Sequence, residues 1–220
     1  MSPKGYPPYT ILGNDNKNHG ILLDVLRTAA SKYNHVVRVV IYPEKRETIL
    51  LEIGKIDVRA KAKEWVKDPQ NYMFTDPIVE HSDFLIFLNE TSLKFNKIED
   101  LFGKKIGTIL GYTYPFFTPY FHDARIHRND TVNQKAMLRM VVAKRTDGAI
   151  VNKLVALWNI KQDQDWQGKF IFSDRTVGSV GYRLMFTNKK NWKPFVKRFN
   201  QELENMKKSG ELGEIIYKYR

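Results

Sequence analysis

The sequence predicts an α/β fold built on parallel sheet. Three observations carry this. Residues 9–60 read strand, helix, strand, helix, strand. The pattern restarts after a polar break at Asn89-Glu90-Thr91-Ser92. The chain then closes on a long amphipathic helix, residues 192–206. Strands joined in a βαβαβ order pair in parallel, with right-handed crossovers.

Each element has a local reason. Tyr9-Thr10-Ile11-Leu12 follows Pro7-Pro8 as a short strand, with a polar Gly-Asn-Asp-Asn-Lys-Asn loop behind it. Residues 20–33 are helical, because Ile21, Leu22, Val25, Leu26 and Ala29 share one face. Residues 36–42 are β-branched and almost continuously apolar, the pattern of a buried parallel strand. A helix begins at Pro43, continues over residues 48–53 and is capped by Gly54. Residues 57–60 form the third strand. Beyond them Phe84-Leu85-Ile86-Phe87-Leu88 is a long apolar strand. A short helix over residues 98–103 ends at Gly103 and runs into a strand that ends at Gly111. Residues 131–145 place Ala136, Met137, Met140 and Val141 on one helical face. Residues 147–151 read as a strand and 152–160 as a helix. Residues 169–172 and 181–186 are two further strands. In the last helix Trp192, Phe195, Val196, Phe199, Leu203 and Met206 form a stripe, stopped by Ser209-Gly210. Ile215, Ile216 and Tyr219 make a second apolar face. The stripe fits packing on a folded core, or a membrane surface, since its polar face is basic.

A chain of 220 residues buries a sizeable core as one domain or two small lobes. No stretch approaches the roughly 20 apolar residues of a membrane span. Met1-Ser2-Pro3-Lys4-Gly5 leads straight into an apolar strand, so an exported protein is expected here in mature form. There is no cysteine, which excludes disulfides and thiolate metal sites. The net charge is +12, but the basic residues are spread along the chain without interleaved aromatics, so no nucleic-acid partner is expected.

The densest signal is Gly54-Lys55-Ile56-Asp57 followed by Phe74-Thr75-Asp76-Pro77. It resembles the GxxD and FSxP signature of the family 3 extracellular solute-binding proteins, receptors of polar amino-acid ABC transporters. The run from Asp100-Leu101 through Gly103-Lys104 to Gly111 resembles the opening of that family's second lobe. Residues 200–219 resemble its C-terminus. The resemblance implies a periplasmic binding protein-like type II fold of two α/β lobes with mostly parallel sheets, joined by a hinge of two crossings. One lobe is then residues 1–87 with 181–220, the other 88–180. It also implies a periplasmic or extracytoplasmic location, a monomer, closure around a small-molecule ligand and an ABC transporter permease as partner. No cofactor is implied.

Ligands of open parallel sheets bind beyond the carboxyl ends of the strands. That rule selects Tyr6, Arg46, Lys61, Lys63, Glu64, Trp65, Tyr112, Thr113, Tyr114, Arg128 and Asn152 as the ligand-binding candidates. Arg46 and Arg128 offer planar forks for a carboxylate. Lys61 and Lys63 need anionic partners, and Glu64 can match one of them. The aromatic residues supply an apolar wall, although each lysine also fits a solvated surface and Trp65 also fits core packing. In the family, an arginine clamps the ligand carboxylate and a second-lobe aspartate holds its ammonium group. Here those positions fall at Asp68 or Pro69 and at Asn152. The resemblance therefore implies an anionic or carboxylate-bearing ligand other than a standard α-amino acid. His19, His35, His81, His122 and His127 show no metal-ligand spacing, and there is no GxSxG, P-loop or GxGxxG. A receptor without catalysis is expected. A ligand-binding sensor domain, or a dehydratase of the same fold using Glu64, are the alternatives.

Overall fold

The computed structural model describes residues 1–14 and 17–220. The chain divides into two compact units, residues 1–80 with 180–220 and residues 81–179.

The first unit opens with two helices. α1 (Ile21–Ser31) buries the predicted face, with Leu23 and Ala30 added to it. α2 (Glu44–Glu52) starts behind Pro43 and carries Glu44 and Glu47 in its first turn, where acids favour the helix dipole. Gly54 ends it in the left-handed region at φ 72, and the Gly54 and Lys55 amides donate to Leu51 and Leu50 oxygens (3.1 and 2.8 Å). Strands β1 (Val58–Ala62) and β2 (Tyr72–Phe74) follow.

The parallel sheet expected over residues 9–60 is not built as such. Residues 9–12 make only isolated bridges, Tyr6 with Thr10 and Ile11 with His19, so they offer no ladder to a neighbour. Residues 36–42 carry no strand, and Val36 is 85% exposed. Two hydrogen bonds tie them to the N-terminus, Met1 N to Val40 O and Tyr42 N to Met1 O.

The second unit is an α/β layer. β3 (Val79–Leu88) enters it at His81. Next come β4 (Lys105–Ile109), α3 (Thr118–His122), β5 (His127–Thr131), α4 (Gln134–Val142), β6 (Gly148–Asn152) and α5 (Lys153–Lys161). β4 pairs in parallel with β5 and with β6, and β3 runs antiparallel to β6. Strand alternation sorts the core into two layers. Leu85, Phe87, Leu101, Ile106, Phe117, Ile126 and Ile150 pack on one face. Ile86, Met137, Leu138, Val141, Ala149, Val151 and Trp166 pack on the other. Fully burying each large apolar side chain contributes about 1.5–3 kcal/mol. β5 has the sequence His-Arg-Asn-Asp-Thr and carries no apolar alternation, so its residues read as a loop; its ladder with β4 makes it a strand.

The chain returns to the first unit within β7 (Phe170–Thr187), a single strand of 18 residues where two short ones were expected. The polar run Ser173-Asp174-Arg175-Thr176 interrupts its apolar pattern without interrupting its backbone. Its second half pairs antiparallel with β1, Val58 to Phe186 through Ala62 to Tyr182, and with β2. β1 is antiparallel because its partner is this returning strand. α6 (Lys193–Ser209) buries Phe195, Phe199, Leu203 and Met206, and α7 (Glu211–Tyr217) follows the left-handed Gly210. The C-terminal stripe is thus packed within its unit. Tyr219 locks it down, donating to Asp24 Oδ2 (2.6 Å) and accepting from the Gly20 amide (3.0 Å).

Candidate functional site

In the first unit, β1 brings part of the predicted set together at its C-terminal end. Ala62 lies opposite Tyr182, and the 3₁₀ turn Lys63–Trp65 follows. The Trp65 ring lies 5.7 Å from Tyr182. Tyr182 meets Tyr9 at 5.0 Å and Tyr6 at 6.4 Å, both edge-on, and Tyr6 stacks on Tyr9 at 5.3 Å. Tyr9 and Tyr182 are buried; Trp65 is 44% exposed. The result is a layered aromatic platform with Trp65 at its surface. Tyr6 and Trp65 are among the sequence candidates, whereas Tyr9 and Tyr182, which pack against them, are not; the Ala62–Tyr182 pairing that brings the rings together is long-range.

The basic residues divide. Lys61 Nζ sits 5.8 Å over the Trp65 ring and donates to Glu44 Oε1 (2.7 Å). Arg59 sends one nitrogen to Thr48 Oγ1 (2.6 Å) and pairs with Glu44 and Glu47 (3.2 and 3.4 Å). The Lys61 hydrogen bond, helped by Arg59, holds the Glu44 carboxyl below its usual range. The expected match of Glu64 to a lysine is replaced. Glu64 lies 3.7 Å from Arg183, and Glu44 from the preceding helix takes Lys61. Lys63 is exposed and forms no ion pair among the described residues. Arg46 is exposed on α2 with its guanidinium 5.3 Å from the Tyr42 ring centroid, a stacking contact rather than a free fork.

In the second unit, the loop after β4 holds Tyr112, Thr113 and Tyr114. Tyr112 is 54% exposed and Thr113 is exposed. Tyr114 belongs to the core instead of the expected wall. It is buried, its hydroxyl accepts the Ile109 amide (3.0 Å), and burial pushes its phenol up to about 12. Arg128 is not on a loop but on β5, and its fork, although partly solvated, is taken up by the protein's own oxygens. It donates through Nε to Asp130 (2.9 Å) and through Nη2 to the Ile109 and Tyr112 oxygens (3.3 and 3.0 Å). It also stacks 5.6 Å from Tyr114. Burial alone would raise Asp130, but hydrogen bonds from Arg128 and Thr108 outweigh it and leave the carboxyl lowered. Arg128 therefore clamps the loop. Asn152 is buried; its Oδ1 caps α5 at the Val155 amide (3.1 Å) and its Nδ2 reaches Ser82 O (3.3 Å).

Asp83, two residues after His81 on β3, is a further ionisable group of this unit. It stands opposite Asn152 in the β3–β6 register, with its side chain 33% exposed. Burial raises its carboxyl to about 6 and lowers the neighbouring His81 to about 4. The two side chains lie 4.0 Å apart. No group of His, Asp or Glu among the described residues is arranged to hold a metal ion.

The family model for bacterial extracellular solute-binding proteins, family 3, matches residues 1–220. No curated protein sequence matches the chain. Among solved structures, the chain is similar to the second substrate-binding domain of GlnP from Lactococcus lactis in an open conformation. That likeness has a TM-score of 0.78 and 16% identity, and covers 99% of this chain and 92% of that one. An ancestral arginine-binding protein bound to arginine gives 0.68 and 24%, over 99% and 95%. A histidine kinase sensor domain with similarity to periplasmic binding proteins gives 0.71 and 18%, over 99% and 93%. At these identities the likeness is one of fold.

Proposed function

Because the chain belongs to the family 3 bacterial extracellular solute-binding proteins, we propose that it binds a small polar, carboxylate-bearing solute outside the cytoplasm and delivers it to the permease of an ABC transporter, acting as a monomer. The observation that carries the ligand class is the aromatic platform of Tyr6, Tyr9, Trp65 and Tyr182 with Lys61 and Lys63 beside it. An aromatic surface binds the apolar or planar part of a solute by shape. A lysine at its rim supplies the charge for a carboxylate, and Lys63 is available for that role. The arginine-bound relative holds a ligand with such a group. Identification of solute retained through purification, by native mass spectrometry, tests the reading. A carboxylate-bearing small molecule is expected, and Trp65→Ala and Lys63→Ala should each weaken its binding at least tenfold. A retained solute without a carboxylate overturns the ligand class and leaves the receptor reading intact. The likeness to a kinase sensor domain favours one second reading, in which the same binding event feeds a signalling partner. Co-purification with a permease or with a kinase separates the two.

A further inference from the structure

The fold gathers on one helix face some of the positive charge that the sequence spreads along the chain. The unit of residues 1–80 with 180–220 holds 22 basic and 14 acidic residues, a net +8 of the chain's +12. The unit of residues 81–179 holds 14 and 10. Within the first unit, residues 189–208 alone carry seven basic residues against two acids, Glu202 and Glu204. α6 runs through this stretch and buries Phe195, Phe199, Glu202, Leu203 and Met206. At 3.6 residues per turn, Lys193, Lys197, Lys207 and Lys208 fall within about 100° of arc opposite that buried stripe. All four are exposed, as are Lys189 and Lys190 just before the helix. From Lys193 to Lys208 the face is about 22 Å long.

Little of this charge is neutralised from within. Glu202 is buried and taken by Lys32. Glu204 pairs with Lys208 (3.4 Å) and Asp57 with Lys190 (2.7 Å), both in solvent, where ion pairs hold weakly. Among the described residues Lys189, Lys193, Lys197 and Lys207 form no ion pair. Residues 209–220 add two acids and two bases, so they leave the balance unchanged.

The chemistry of the face selects its partner. Its cations are lysines, hydrated point charges on flexible stems, which suit a field of mobile phosphates better than the fixed acid pairs that arginine forks match. The rings of α6, Phe195 and Phe199, are buried, so the face offers no aromatic stack to a nucleic-acid base. Among the described residues, none of the exposed large apolar side chains lies on α6, so the face can adsorb on a bilayer but has nothing to insert into it.

We propose that the solvent face of α6, with Lys189 and Lys190 before it, docks the protein on an anionic phospholipid surface. The docking stands on the exposed charge alone; its use, holding a receptor beside a membrane-embedded permease, rests on the reading above. Each lysine brought against an anionic leaflet contributes about fivefold to partitioning, and salt screens it. Vesicle co-sedimentation of the full chain is the test. Phosphatidylcholine vesicles with about one third phosphatidylglycerol should bind it at about 0.05 M salt and release it at about 0.5 M, and pure phosphatidylcholine should not bind it. Lys193→Gln, Lys197→Gln, Lys207→Gln and Lys208→Gln together should lower partitioning at least about a hundredfold. Lys193→Arg, Lys197→Arg, Lys207→Arg and Lys208→Arg together should keep it. Lys94→Gln, Lys105→Gln, Lys135→Gln and Lys169→Gln, exposed on the second unit, change the net charge equally and should cost less than about threefold. Glutamine and lysine are similar helix formers, so the α6 variant should fold, and its thermal melt checks this. Equal losses in the two glutamine sets would mean diffuse attraction and overturn the proposal. So would binding to neutral vesicles, or no binding to anionic ones. Tighter binding to duplex DNA than to anionic vesicles at the same salt would mark a general polyanion surface and overturn it too. Solute binding, followed separately by calorimetry, should be the same in parent and variants. A protein that docks on vesicles but binds no solute refutes the receptor reading and leaves the docking standing; one that binds solute but no vesicles does the reverse.

Discussion

At the scale of single residues, His81 and Asp83 carry opposite linkage to pH. Burial takes His81 from 6.5 to about 4 and Asp83 from 3.8 to about 6. The folded protein therefore binds fewer protons at His81 than the unfolded chain between about 4 and 6.5. The stability His81 contributes is lost as pH falls through that window. At Asp83 the folded protein binds more protons between about 3.8 and 6, so stability is lost as pH rises. The slopes oppose each other in the parent. Asp83→Asn should show a steeper gain of stability from pH 4 to 6 than the parent, and His81→Asn a shallower or reversed one. The His81 term amounts to at most about 3 kcal/mol over the window. Urea midpoints at half-unit steps decide it, and three parallel profiles would refute the linkage. Neither residue was legible as a site, because an isolated His and Asp two positions apart have no spacing signature. What distinguishes Asp83 is the residue across the ladder, Asn152, some seventy positions away.

At the scale of elements, legibility tracked apolar periodicity. α1, α4 and α6 each show a stripe that the structure buries. β5 has no apolar residue and was invisible, so Arg128 was assigned to a loop and its fork to a ligand. Its guanidinium instead ties β5 to the loop after β4. Arg128→Ala should lower stability by about 1–2 kcal/mol, less than a fully buried charged network because the side chain is partly solvated. Hydrogen exchange should rise in residues 110–114. Unchanged exchange there would mean the clamp does not hold the loop. Packing inside β6 offers a second check. A Cβ on Gly148 would lie 2.6 Å from the Phe87 ring, whereas one on Gly213, within α7, meets nothing within 4 Å. Gly148→Ala should destabilise by about 1–3 kcal/mol through overpacking. Gly213→Ala should stabilise by about 0.5–1 kcal/mol through reduced chain entropy. Equal effects in chemical denaturation would contradict the contact.

At the scale of the whole molecule, the family was legible because several weak motifs stand in the right order along the chain, although none is specific alone. The expected parallel sheet of the first unit was not recovered as a ladder, since a β-branched run such as residues 36–42 reports apolar character and cannot name its partner. The path of the chain bears on behaviour. It passes between the two units twice, between residues 80 and 81 and between 179 and 180, and each passage falls inside a strand, β3 or β7. Both strands are continuous at the passage. A ligand shifts a population between two states by its difference in affinity for them. Small-angle scattering should therefore show a smaller radius of gyration once the solute identified by mass spectrometry is added at saturation. Lys63→Ala, tested at the same ligand concentration, should show less of that change if it has lost affinity, and the full change once saturation is restored. Superimposable profiles with and without a ligand whose occupancy is verified by calorimetry would rule out ligand-driven closure for this chain.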